Sequence, residues 1–187
     1  SPDAMELLAG LVFGHIEAKV IHAAVDVYRA ERSDRPDAES AAGVGLNEAM
    51  QAAVSISLAV CYNDAVKEIV RHGCEAAHRG FDEEDPPAVS PRPRLFRLSQ
   101  AIGGQAVSPS SDLVEAALFL SGAMEYLLDE IIHICCTMCV GSRSRLFPAR
   151  RPVVVNRRCV ARAVRSDPEL LQLFWDTALC AEVAPRL

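Results

Sequence analysis

Eight arginines fall within one short stretch of the chain: Arg143, Arg145, Arg150, Arg151, Arg157, Arg158, Arg162 and Arg165. No acid interrupts them between Glu130 and Asp167. A guanidinium offers a planar fork of N–H donors that matches a pair of phosphate oxygens, so this spacing points to nucleic-acid backbone. A run of like charge is otherwise a solvated face. Cys135, Cys136 and Cys139 form the other chemically suggestive group, with a C-x-x-C between the last two. Such a pair binds metal or exchanges thiols. Here it lies in an apolar helical run with no His or Cys at matching spacing, so core packing is the expected role. His15 and His22 lack a carboxylate motif and are expected at core or rim positions, and Trp175 is expected to pack. The reading is of a binding protein: no enzyme, no cofactor and no bound metal.

The net charge of −6 hides an asymmetry. Residues 1–90 carry 16 acids against 7 bases, a net of −9, while residues 91–187 carry 9 acids against 12 bases, a net of +3. The chain is half hydrophobic and only 5% aromatic, which suits packed helices of Ala, Leu, Val and Ile. No uninterrupted apolar run reaches membrane-spanning length, so a soluble protein without membrane contact is expected. There is no recognisable signal peptide. Seven cysteines without the spacing of a disulfide framework suggest a reducing compartment.

The elements that must position these residues are helices. Ser108 to Cys139 reads as one helix of about eight turns. Ser110, Ser111 and Asp112 offer capping oxygens at its start. Ala117, Leu120, Met124, Leu127, Ile131, Ile134 and Met138 draw its apolar stripe, and Glu125, Asp129, Glu130 and His133 its polar strip. A second long helix is expected from Asp3 to Glu31, on the stripe Met5, Leu8, Val12, Ile16, Val20, Ala23 and Val27. Between the two, Asn47 is expected to cap a short helix to Val60, and Asn63 or Asp64 to start another to Gly80. The segment 81–93, acidic and then proline-rich, reads as a linker. Arg94 to Ile102 is a short helix ended by Gly103 and Gly104. After the long helix, Val153 to Val155 invite a short extended pairing, Asn156 caps a helix to Arg165, and Asp167 caps another with Pro168 at its first position.

These letters resemble histones. SDLVEAALFLSGAMEYLLDEIIHICC resembles the central helix of histone 2A, VVVNRRCVARAVRSDPELLQLF the loop and last helix after it, and RLFRLSQAIGG its first short helix. SPDAMELLAGLVFGHIEAKVIHAAVDVY, LNEAMQAAVSISL and NDAVKEIVRHGCEAA resemble the central, third and C-terminal helices of histone 2B. Two histones joined in this order are similar to the histone doublets of giant viruses. The resemblance implies an all-α chain of two histone folds paired as an intramolecular handshake. Residues 1–80 would form the 2B-like fold without its first short helix, 81–93 the linker, and 94–187 the 2A-like fold with a C-terminal docking segment.

The implied function is structural packaging of DNA. The chain would join a histone 3–histone 4 partner and wrap double-stranded DNA non-specifically, in a nucleus, viral factory or virion. Arg94, Arg97, Arg143, Arg145, Arg150, Arg151, Arg157 and Arg158 would meet backbone and minor groove, with Arg32 and Asn47 from the first half. The position of the groove-inserting arginine falls at Val154, with Arg150 and Arg151 close by. Asp64, Glu125, Glu130, Asp167 and Glu169 would form an acidic patch for arginine-anchored partners, in which His133, Pro168 and His72 replace three other acids. Rival readings are a histone-fold subunit of a transcription-factor complex, and an all-helical ligand-binding regulatory domain with a pocket among its long helices.

Overall fold

Alanine, leucine and valine spaced on one face build helix after helix along this chain. A computed structural model describes residues 2–33, 45–59, 61, 63–80, 91–103, 110–141 and 154–177. The helices are α1 (Pro2–Ala9), α2 (Glu17–Ser33), α3 (Leu46–Ser57), α4 (Asn63–Arg79), α5 (Arg92–Ile102), α6 (Ser111–Gly141), α7 (Arg157–Ser166) and α8 (Pro168–Leu173). A π-helical turn, Gly10–Ile16, joins α1 to α2 without a break. The chain is all-α: there is no strand among the described residues, and the extended pairing expected at Val154 and Val155 does not form.

The π turn changes the first stripe. The innermost residues of the joined helix are Ala4, Leu8, Val12, Ile16, Val20 and Ala24, each no more than 2% exposed. They step by four throughout. In an α-helix a step of four overshoots a full turn by about 40°, so such a stripe drifts around the surface. The wider winding of the π turn takes up part of that drift. Met5 accordingly lies outside the buried line, 44% exposed. By length and composition the stretch Pro2–Glu31 is long and apolar enough to cross a membrane, although its runs are interrupted; half of the qualifying window is buried inside the protein.

The contacts divide the chain into two compact units, and each draws on both expected halves. One is Ile16–Tyr126. In it α3 packs along α2, and α5 and α4 pack on α2 and α3. Its core holds Val20, Ala24, Met50, Val54, Ile69, Leu98 and a stretch of α6, Ala116 to Leu120, that is buried on every side. Helix α4 comes unusually close to α6. A Cβ on Gly122 would lie 2.5 Å from the Ala76 Cβ and 2.7 Å from the His72 carbonyl oxygen. A Cβ on Gly73 would lie 2.6 Å from the Phe119 ring. Two glycines inside helices are thus explained by backbone approach. His72 stacks on Tyr126 beside them, ring centroids 4.2 Å apart.

The other unit is Ser1–His15 with Leu127–Leu187. Here α1 packs on α7, and α7 on α8. Leu8, Val12, Ile131, Cys135, Val160, Val164, Leu170 and Phe174 fill its core. Both caps in this unit follow the sequence. The Asn156 side chain accepts from the Cys159 amide at the start of α7, and Asp167 accepts from the Glu169 and Leu170 amides at the start of α8, with Pro168 in the first turn. The expected linker, 81–93, falls mostly outside the described residues.

Candidate nucleic-acid interface

Helix α5 begins with an arginine-rich turn, Arg92, Arg94 and Arg97, and contains no acid. Its neighbour supplies one. Glu17, at the first turn of α2, is buried and accepts from Arg94 at 2.6 Å and from Arg97 at 2.9 Å. Arg94 is as deeply placed, its side chain 4% exposed. Burial pulls its pKa below the ordinary value, and the Glu17 carboxylate opposes that shift. A buried guanidinium committed to a carboxylate presents no surface to a phosphate, so Arg94 is corrected from a DNA contact to an internal tie. Arg97 remains about half exposed. At the other end of α5, Arg29 donates to the Ala101 carbonyl at 2.7 Å.

Asn47 does not cap α3. The helix starts after Gly45, and Asn47 lies inside its first turn. The cap arrives from far along the chain: Asp112, at the start of α6, accepts from the Leu46 amide at 2.9 Å and the Asn47 amide at 3.3 Å. A free helix N-terminus gathers phosphate because its amides lack partners. Here a carboxylate already fills that place, so the backbone at this corner offers less to DNA than the sequence suggests. The α6 start is capped in turn by Ser110, which accepts from the Leu113 amide.

On the second unit, Arg157 and Arg158 are exposed in the first turn of α7. Arg157 also lines a shallow open groove of about 540 Å³ with Asp3, Glu6, Leu7, Gly10 and Leu11. Val154 is 58% exposed just before α7. Arg32 lies near the end of α2. Arg143, Arg145, Arg150 and Arg151 lie outside the described residues.

The acidic residues divide between the units. In the first, Asp64 is exposed and paired with Lys67 at 3.3 Å, and Glu125 is half-buried. Further along α4, Arg71 donates to Glu68 at 2.6 Å and also to Glu75. That hydrogen bond from Arg71 holds the Glu68 carboxyl below its usual range. The carboxylates of α4 are therefore answered by α4's own cations. In the second unit Glu130, Asp167 and Glu169 are half-buried, and Asp167 is committed to capping α8.

Among the described residues no three His, Cys, Asp or Glu side chains gather in a way that could hold a metal ion. Cys135 is buried in the core and Cys136 half-buried; the Cys139 side chain lies outside the described set. The sequence gives no sign of Glu17's role, and it offers Asp112 only as a cap for its own helix, because each acts on residues 65 to 80 positions away. The chain matches no family model, no curated protein and no solved structure.

Proposed function

We propose that the chain is a fused histone 2B–histone 2A pair that packages DNA structurally by joining a histone 3–histone 4 partner. One observation carries the reading. In a handshake the loop ahead of each long helix lies beside the loop behind the other. The start of α6 meets the start of α3 through Asp112 in one unit. Helix α1 packs on α7 in the other. Each pairing joins the two halves of the sequence, as two histone folds fused in one chain would require. Exposed Arg97, Arg157 and Arg158 would meet DNA backbone, with Arg143, Arg145, Arg150 and Arg151 as further contacts. The protein would act wherever its DNA is kept, in a nucleus, viral factory or virion.

The test is reconstitution of the full chain with a histone 3–histone 4 pair and DNA, followed by nuclease digestion. A protected fragment of defined length is expected, with protection falling steeply as salt rises. A digest indistinguishable from naked DNA at every salt concentration would remove the reading.

A further inference from the structure

Helix α1 carries two carboxylates beside an aliphatic floor. Asp3, Glu6, Leu7 and Gly10 step by three or four into the π turn, so they share one face of the joined helix. With Leu11, and with Arg157 from α7, they line the shallow groove of about 540 Å³. Asp3, Glu6 and Gly10 are exposed, Leu7 is half-buried, and Leu11 lies deepest, 7% exposed. A Cβ on Gly10 would meet nothing within 4 Å, so the absent side chain leaves a notch. An acid in the first turn of a helix is ordinary. These two differ in their setting. Among the described residues neither has an ion-pair partner, whereas the acids of α4 are answered by Lys67 and Arg71. The walls thus set two carboxylates against one guanidinium, over leucines. A cationic group with an aliphatic neighbour complements both features. Because the groove is open, a small ligand would leave much of its surface in water. An extended polypeptide can lie across it and alternate its side chains between floor and rim.

We propose that this groove binds an extended segment of a partner protein in which basic and aliphatic side chains alternate. The aliphatic groups lie over Leu7, Leu11 and the Gly10 notch. Arginines on the other side of the segment reach Asp3 and Glu6 in charge-assisted hydrogen bonds, and Arg157 donates to main-chain carbonyls. Binding there requires neither DNA nor a histone 3–histone 4 partner, so its absence would leave packaging untouched.

The experiment is fluorescence anisotropy of a labelled peptide of alternating arginine and leucine, titrated with the full chain. Asp3→Asn combined with Glu6→Gln is expected to weaken binding about tenfold, as for loss of charge-assisted contacts. Gly10→Leu fills the notch without changing the charge and is expected to weaken binding as well. Asp26→Asn, which removes an exposed carboxylate of α2, should bind as the wild-type chain does. The altered side chains are exposed, and circular dichroism checks that each variant keeps its helices. Binding that survives either groove variant would be diffuse attraction to an acidic chain and would overturn the proposal, as would no binding by the wild-type chain. A glutamate–leucine peptide that binds more tightly than the arginine one would assign the groove to an anionic partner through Arg157 and overturn it too. Self-association without peptide that Gly10→Leu abolishes would give the groove to a second copy, with the same result.

Discussion

The Glu17 carboxylate and the Arg94 guanidinium meet at 2.6 Å with both side chains almost wholly inside the protein. Desolvating two charges costs much of what their attraction returns, so the pair adds little net stability, but removing one partner strands the other. Glu17→Gln is therefore expected to destabilise the chain by about 3–5 kcal/mol. The double replacement Glu17→Leu with Arg94→Met should recover most of that loss. Urea unfolding of both variants measures it. A double variant no more stable than Glu17→Gln would show that the ion pair is not the source of the loss.

Gly122 is a second point of close tolerance. An exposed glycine in a helix usually gains stability on becoming alanine, because its unfolded chain loses freedom. At Gly122 the new Cβ would collide with Ala76 and the His72 backbone. Gly122→Ala is expected to lose about 1–3 kcal/mol, as overpacking does, and to disturb the His72–Tyr126 stack. Gly10, whose added Cβ meets nothing within 4 Å, is the control: Gly10→Ala should be far milder. Equal thermal unfolding of the two variants would contradict the close approach of α4 to α6.

The Arg71 clamp makes a prediction in pH. The Arg71 hydrogen bond lowers the folded-state pKa of Glu68 from its ordinary 4.5. A depressed carboxylate contributes stability above its unfolded pKa and loses it as the pH falls through the folded one. Arg71→Gln should move the Glu68 midpoint up toward 4.5 and leave stability at neutral pH nearly unchanged, because the pair is exposed. Side-chain carboxyl NMR resolves the midpoint. No movement would show that Arg71 does not hold Glu68 in solution.

Each compact unit takes residues from both halves of the chain. Residues 1–90 and 91–187 expressed separately should therefore be poorly helical or aggregated, and should gain helicity on mixing. Two halves that each unfold cooperatively as monomers would contradict that interdependence.

Local chemistry was legible in the sequence. Asn156, Asp167 and Pro168 act within a few residues of themselves, and each stands where its type predicts. The α6 stripe was legible because a long regular helix keeps one phase: Ala117, Leu120, Met124, Leu127 and Ile131 are all buried. The α3 cap was not, because the carboxylate that closes it belongs to Asp112, 66 positions from Leu46. Arg94 read as a surface cation for the same reason: its charge is answered by Glu17, 77 positions away. The acids of α4 were visible as carboxylates, but their pairing with Lys67 and Arg71 depends on side-chain conformation as well as spacing.

The π turn at Gly10–Ile16 sets a different kind of limit on this chain. Elsewhere a helix tolerates or rejects a change by the identity of the side chain. Here the number of residues is itself the constraint. Removing any one of the seven, even an exposed glycine, would break the step of four by which the buried residues Ala4, Leu8, Val12, Ile16, Val20 and Ala24 follow one another. The segment is thus permissive in its letters and strict in its length, the reverse of an ordinary loop.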